Sequence, residues 1–332
     1  MAEVRQAVIM VGGFGTRLLP LTKTRPKPAM PVLDRPFLKY LIDSLAEAGV
    51  TDIILACGYK SDILSKEIGD GSDMDVKIRY MDEDEPLGTA GAIKNVEKLL
   101  DPVFVAANGD TLNFVDVKSQ IDTHLKTGAE VTISSSEIED PSSSGVLVLD
   151  GDGFVKQFQE KPKKEEALSN IVNTGLYVMN RDVLRFIPEH KFFDLSKDLF
   201  PAMLDAGAPI GAHTAKGIWI DIGKPKDLIR MNIVMADELF KNGDWMERTP
   251  DSKISGSFYI GNGSTLSDSE SRDSIVSEGC TIRDSRLEDS LIMKGCKVEG
   301  ATIIRSILGE GCTVKKGAQL VDAVIEDGSI IG

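Results

Sequence analysis

Histidine is scarce: of 332 residues only His124, His190 and His213 are of this type, and no Ser-His-Asp or Cys-His arrangement is apparent around them. Cysteine is scarce too. Cys57 stands alone, Cys280, Cys296 and Cys312 are evenly spaced, and no C-x-x-C pair occurs. Neither a zinc site nor a disulfide framework is suggested. Positive charge is in deficit, with 38 Lys and Arg against 52 Asp and Glu and a net charge of -14. That balance opposes extended contact with nucleic-acid phosphates. Long hydrophobic runs are missing near the start, where the apolar stretch 7–11 is too short for a signal-peptide core or a membrane span. The expectation is a soluble, cytoplasmic globular protein with no nucleic-acid or membrane partner, long enough for one large domain and a smaller one.

Two textures divide the chain. Up to about residue 240, short β-branched or apolar runs (7–11, 52–56, 77–80, 103–106, 130–134) alternate with helical stretches (36–48, 90–99, 117–126). This is the signature of an α/β fold with a mainly parallel sheet covered by helices. Ligands of such sheets bind beyond the carboxyl ends of the strands, which directs attention to the loops after Val11 and Ala106. From about residue 250 the sequence repeats in sixteens. Ile260-Gly261-Asn262-Gly263-Ser264-Thr265-Leu266 recurs from Val276, Ile292 and Leu308, and a fifth copy from Ile325 arrives one residue late. Aliphatics return every five or six residues, as in Val276, Ile282, Leu287 and Ile292, which suits the inward corners of a three-sided parallel β-helix. The even cysteines hold one equivalent position, taken by Ser264 and Ser329 in the outer copies, and read as stacked small buried residues.

The first loop is Gly12-Gly13-Phe14-Gly15-Thr16-Arg17-Leu18. Its glycines let main-chain N–H groups approach an anionic phosphate chain. Leu18 stands where a dinucleotide fingerprint needs a third glycine, and no Gly-Lys-Ser/Thr follows to make a Walker loop. Alone, the loop could be a tight turn. The continuation Arg25-Pro26-Lys27-Pro28 adds prolines that fix the backbone around a lysine, so Arg17 and Lys27 bracket a phosphate site.

With G-G-x-G-T-R-L followed by P-K-P, the sequence resembles the sugar-1-phosphate nucleotidylyltransferases, closest to the mannose-1-phosphate guanylyltransferase-like members. The resemblance implies that Gly12, Gly13, Gly15 and Thr16 hold the triphosphate, that Arg17 stabilises the α-phosphate and departing pyrophosphate, and that Lys27 contacts the phosphates. Further landmarks follow in the family's order. Glu83-Asp84-Glu85-Pro86-Leu87-Gly88-Thr89 resembles the segment that receives the base, which nominates Glu83, Gly88 and Thr89. Asn108-Gly109-Asp110 resembles the turn that supplies the family's first Mg²⁺ aspartate, and Trp219-Ile220-Asp221-Ile222-Gly223 resembles the W-x-D-x-G motif that supplies the second, which implies Asp110 and Asp221 as the metal ligands. Glu160-Lys161-Pro162 resembles the E-K-P motif, whose glutamate binds sugar hydroxyls and whose lysine binds the sugar phosphate. Asn173-Thr174-Gly175 resembles the sugar-binding strand, and Gly145 a glycine that lies against the sugar. Each residue alone has a bland alternative: Asp110 as a turn residue, Glu160 and Lys161 as a solvated pair, Trp219 as core. Their common order from residue 12 to 223 is what weighs against those alternatives.

The resemblance implies a Rossmann-like nucleotidyltransferase domain over residues 1–240 and a left-handed parallel β-helix of hexapeptide-like coils over 250–332. It also implies magnesium-dependent transfer from a nucleoside triphosphate to a sugar 1-phosphate, with Lys161 steering the attacking phosphate. A carboxylate at Glu83 can accept from both N1–H and N2–H of guanine, which favours GTP, and Leu87-Gly88-Thr89-Ala90-Gly91 with Ile222-Gly223-Lys224-Pro225 resembles the mannose-1-phosphate guanylyltransferases, which implies mannose 1-phosphate. GTP with a heptose phosphate, or UTP or dTTP with glucose 1-phosphate, stays open. Acyl transfer on the coil is disfavoured because residues 250–332 contain no histidine. A regulatory homologue that senses a nucleotide sugar is disfavoured because Arg17, Lys27, Asp110, Lys161 and Asp221 are all present. The coil reads as an oligomerisation surface, and its end in mid-pattern at Gly332 suggests truncation or capping by a partner.

Overall fold

A computed structural model of the chain describes residues 3–13, 15–58, 61–240 and 246–332. It divides into two compact units, Met1–Gly13 with Leu38–Trp219, and Phe14–Phe37 with Ile220–Gly332.

In the first unit the apolar runs build one sheet. Gln6–Met10 lies at its centre, parallel to Asp52–Cys57 on one side and to Val103–Asn108 on the other, and Lys77–Asp82 extends it in parallel. Gln6–Met10 is buried along its whole length, as a strand covered on both faces must be, and this is why it reads as continuous apolar text. Beyond Val103–Asn108 the direction changes. Ile171–Asn180 runs antiparallel to it, Val131–Glu137 antiparallel to Ile171–Asn180, and Ile210–Thr214 parallel to Val131–Glu137. The hairpin Gly145–Leu149 with Val155–Glu160 completes the sheet.

The helices are Leu38–Glu47 (α1), Ser61–Ile68 (α2), Gly88–Asn95 (α3), Val117–Thr127 (α4), Phe200–Asp205 (α5) and, in the second unit, Pro225–Phe240 (α6). Helix α1 buries Leu38, Leu41, Ile42 and Leu45, an i, i+3, i+4, i+7 stripe. It starts two residues later than the sequence pattern predicts, because Arg35–Pro36 pairs with Pro31–Val32 in a two-residue hairpin. The predicted helix 90–99 stops at Asn95 and passes into a 3-10 turn, Glu97–Leu99. Helix α4 follows its caps closely: Asp116 accepts from the Ser119 N–H, and Gly128 leaves in the left-handed conformation.

Buried His124 bridges α4 to the sheet, 2.9 Å from the Thr132 hydroxyl and 3.2 Å from Asn180 Oδ1. Burial holds its imidazole below the ordinary value. Between the folded and unfolded pKa values the unfolded chain binds more protons, so this stability is present above the unfolded value and is lost as pH falls through the folded one. The urea midpoint should therefore fall from pH 7.5 to pH 5, and His124→Asn should shrink that fall.

In the second unit, the coils run from Lys253 to Ile331 in parallel register. Thr265, Thr281, Lys297 and Thr313 align in sixteens, and Thr313 pairs next with Ile330, a step of seventeen. The extra residue lies in the turn 315–318, where Gly317 N–H donates to the Gly300 carbonyl of the preceding coil. Corners are left-handed and step with the repeat: Asp268, Asp284, Gly300 and Gly317 at one, Asp273, Asp289, Arg305 and Asp322 at the next. Aspartate and glycine are the residues that tolerate this backbone. The cysteine ladder is buried and reduced, its thiols donating to the carbonyls of Met293, Gly309 and Glu326 in the following coils. Ser264 donates in the same way to the Ser277 carbonyl. Among the described residues no helix is long and apolar enough to cross a membrane.

Candidate active site

The first unit gathers its candidates at the carboxyl end of the central strands. Met10 and Asn108 are register partners, so the loop with Gly12 and Gly13 and the turn with Asp110 leave adjacent parallel strands side by side. Gly109 makes this possible: its N–H donates to the Met10 carbonyl at 2.9 Å, and a Cβ there would run into the Val11 side chain. Gly12 lies against Gly58 of the neighbouring loop, where a Cβ on Gly58 would stand 3.1 Å from the Gly12 Cα. Phe14 of the glycine loop lies outside the described residues. Asp110 is half-buried.

The predicted sugar-binding residues converge beside that edge. Ile171–Asn180 is bulged between Asn173 and Tyr177, level with the end of Val103–Asn108. In the bulge, Asn173 Oδ1 accepts from the Gly175 N–H at 2.8 Å and Asn173 Nδ2 donates to the buried Tyr177 hydroxyl at 2.9 Å. Gly175 has φ +80°, and a Cβ there would stand 2.7 Å from Asn108 Nδ2. Thr174 turns inward: its buried hydroxyl donates to the Ser134 carbonyl, and its own carbonyl accepts from the Trp219 indole at 2.9 Å. Gly145 pairs with Glu160 in the adjacent hairpin, and a Cβ on Gly145 would collide with the Phe158 ring and lie 3.3 Å from Glu160 Oε2. Lys161 is exposed and left-handed at φ +49°, its N–H bound to the Ser144 carbonyl and its Nζ 3.5 Å from Glu160 Oε1.

The predicted base segment is closed by its own residues. Glu83 accepts from the Leu87 N–H at 3.2 Å. Burial pushes its carboxyl up, and the Leu87 bond works against that. Gly88, at φ +74°, opens α3 under the loop 191–194, whose Phe193 carbonyl takes the Ala90 and Gly91 N–H groups. The Thr89 hydroxyl donates to Asp194 Oδ2 at 2.9 Å and accepts from the Leu195 N–H at 2.8 Å, so its bonds serve the fold. Burial pushes the Cys57 thiol up to about 12, so this cysteine is no nucleophile near neutral pH.

The second unit gathers the cations. Gly15, at φ +62°, accepts from the Thr22 hydroxyl at 3.0 Å, and a Cβ there would stand 3.1 Å from the Lys27 Cβ. Thr16 and Arg17 are exposed on the 3-10 turn that follows. Lys27, fixed between two prolines, is only 5% exposed, and its Nζ lies 3.9 Å from Asp221 Oδ1. A Cβ on Gly223 would lie 3.3 Å from Arg17 Nη1. Asp227 accepts from the Gly223 and Lys224 N–H groups, which ties the start of α6 to the residues just after Asp221. Arg17, Lys27, Asp221 and Gly223 thus come together although more than half the chain separates them in sequence. The sequence reading missed the parts played by Gly58, Asn108 and Asp227. Only Asn108 had a legible signal, as the first letter of the N-G-D turn.

Among the described residues no group of three or more His, Cys, Asp or Glu is arranged to hold a metal by itself. The half-buried Asp110 and the 38% exposed Asp221 side chain offer hard carboxylate oxygens. That donor chemistry fits Mg²⁺, which keeps waters and is bound through one or two carboxylates together with substrate phosphates.

Residues 6–238 match the family model described as nucleotidyl transferase, and residues 259–332 that described as GlmU-like, C-terminal hexapeptide. The chain belongs to the nucleotidyl transferase family, and its coils form a left-handed β-helix of the hexapeptide kind. A mannose-1-phosphate guanylyltransferase of Mycobacterium tuberculosis is 37% identical over 226 residues, covering 68% of this chain and 62% of that protein. The chain thus spans about three-fifths of that relative's length. A UTP–glucose-1-phosphate uridylyltransferase of Synechocystis is 36% identical over 67% of this chain and 61% of its own. Among solved structures, HddC from Yersinia pseudotuberculosis superposes with a TM-score of 0.61 at 32% identity, covering 70% of this chain and all of that one. A second structure of HddC is described as complexed with GMP-PN.

Proposed function

We propose that this protein transfers a nucleotidyl group from a nucleoside triphosphate to a sugar 1-phosphate, with GTP and mannose 1-phosphate as the favoured pair. The single observation that carries the reading is the convergence of Gly145, Glu160 and the Asn173–Gly175 bulge beside the strand end that bears Asp110. In functional terms residues 1–240 are the nucleotidyltransferase domain and 250–332 a coil that also serves assembly into a homo-oligomer. The protein works in the cytoplasm.

A phosphate oxygen of the sugar phosphate attacks the α-phosphorus, a P–O bond forms, and the bond to the departing pyrophosphate breaks. The attacking group is already an anion, so no enzyme nucleophile is needed and positioning dominates. Gly12, Gly13, Gly15 and Thr16 seat the triphosphate. Arg17 and Lys27 offset charge growing on pyrophosphate, and Lys161 steers the attacking phosphate. Glu160 and Asn173 receive the sugar beside the main chain of Gly145 and Thr174. Asp110 and Asp221 would hold Mg²⁺, which when bound neutralises phosphate charge. Glu83 accepts from the two adjacent N–H groups of guanine, with Gly88 and Thr89 shaping the segment.

Pyrophosphate release over a grid of GTP, UTP, dTTP, ATP and CTP against mannose, glucose and N-acetylglucosamine 1-phosphates tests the reading. A dominant GTP–mannose cell is expected, and a blank grid from folded protein would overturn the reaction. In the same grid, Glu83→Gln should lower kcat/KM for GTP by about 10²-fold, because one paired acceptor is lost against guanine. It should spare or raise UTP, whose single N–H lies between carbonyls. Equal losses for both nucleotides would remove Glu83 from base selection.

A further inference from the structure

The segment that carries Lys27 is fastened to the coils at both of its ends. On the amino side, the Arg25 guanidinium is held by the Glu310 carboxylate and by Asp327 Oδ2 at 3.2 Å. Thr24 donates to the same Asp327 oxygen at 2.8 Å, and Lys23 Nζ lies 3.0 Å from Glu326 Oε2. The other Asp327 oxygen accepts from the Glu310 N–H at 2.8 Å, so the receiving carboxylate is itself fixed by the coil backbone. On the carboxyl side, Asp34 accepts from the Glu278 N–H at 3.0 Å and from the Tyr259 hydroxyl at 3.1 Å. A side chain at Gly261 would collide with the Asp34 carboxylate, so the repeat's glycine leaves the space that Asp34 fills. Lys27 lies between these attachments, two residues after Arg25, with Pro26 removing freedom from the link.

The Arg25 attachment is unlike the ordinary surface pairs of the coil. Its side chain is 16% exposed and that of Asp327 20%, against 84% and 58% for Lys253 and Glu270. Glu310 and Asp327 hold the guanidinium above its usual value, against the opposing effect of burial. A planar fork shared between two carboxylates, of which Asp327 is fixed by the coil backbone, sets direction as well as distance, which a lysine at this position could not do.

We propose that the β-helix is a positioning element for nucleotidyl transfer: Arg25, clamped by Glu310 and Asp327, fixes the segment that presents Lys27. The coil thereby acts on the reaction without touching substrate. This rests on the phosphate role given above to Lys27. Loosening the clamp leaves Lys27 in the chain but lets it leave its place, and displacement of about 1 Å at a phosphate contact costs on the order of 10²-fold in rate.

The test compares full-length Arg25→Ala, Arg25→Lys, Glu310→Gln and Asp327→Asn with the unaltered protein. It reads steady-state pyrophosphate release, thermal midpoint, and hydrogen exchange of the peptide covering residues 23–34. Expected are a fall in kcat of roughly 10- to 100-fold for Arg25→Ala and Asp327→Asn, KM for the sugar phosphate within about twofold, and little rescue by Arg25→Lys. Exchange of the 23–34 peptide should quicken about tenfold in Asp327→Asn while the central strands keep their protection. A lowered thermal midpoint with unaltered kcat would make the clamp merely structural and overturn the proposal. So would unaltered exchange of residues 23–34. If Arg25→Ala does not fold, the two coil variants decide the matter, since each keeps the guanidinium and one of its two partners. An unaltered protein with no turnover in any substrate combination would instead refute the proposed reaction, while the exchange measurement would still judge the clamp.

Discussion

Asp110→Asn should lower kcat/KM for pyrophosphate release by about 10³-fold or more, because a carboxylate assigned to the metal becomes a neutral amide of the same shape. The substitution is gentle to the fold. The turn is set by the Gly109 N–H on the Met10 carbonyl and by the Thr111 hydroxyl on the Asn108 carbonyl, both of which remain. Asp110 is half-buried, so the change leaves no cavity. The thermal midpoint should therefore move by no more than a few degrees, consistent with a ΔΔG under about 1 kcal/mol. Raising Mg²⁺ should recover part of the lost rate in Asp110→Glu and none in Asp110→Asn. Activity within tenfold of the unaltered protein in a folded Asp110→Asn variant would remove Asp110 from the metal site.

Lys27→Met should cost about 10²- to 10³-fold in kcat, the range for removing one preorganised group that meets growing negative charge. Methionine is close in length and apolar, so the packing of a side chain only 5% exposed is largely kept. What is lost is the positive charge 3.9 Å from Asp221 Oδ1. Lys27→Arg should rescue poorly. A wider planar guanidinium then replaces a compact ammonium on a side chain only 5% exposed. Isothermal titration with GTP separates the outcomes: weaker binding with unchanged kcat would place Lys27 in ground-state binding only.

The central parallel strands were legible because continuous apolar text is what a strand buried on both faces requires. The hairpin 145–160 and the strands 171–180 and 210–214 left a weaker trace. The hairpin and Ile210–Thr214 are partly exposed, so their apolar residues are interrupted by polar ones, whereas Ile171–Asn180 is mostly buried and is interrupted by Asn173, Thr174 and Gly175 at its bulge. The glycine positions were readable as motif letters, yet their reasons were not. Gly109 is required by the nearness of Val11, Gly145 by Phe158 and Gly175 by Asn108, each a contact between different strands or turns. Thr174 and Thr89, read as ligand contacts, put their hydroxyls to work on Ser134 and Asp194. A threonine's letter does not say which way its side chain turns.

The sequence by itself determined the sheet's central strands, the sixteen-residue coil with its one late copy, and the order of the motifs that resemble those of the nucleotidyl transferases. These depend on periodicity and on glycine and proline, whose backbone preferences act locally. Only the tertiary structure decided that Lys27 meets Asp221, that the Asn173 bulge lies level with the Asp110 strand, and that Arg25 is clamped by Glu310 and Asp327. Arg25 and Asp327 are 302 positions apart, and the coil displays many carboxylates of identical letter. Which of them becomes a partly buried partner depends on how distant segments pack, and no local preference of the chain encodes that choice.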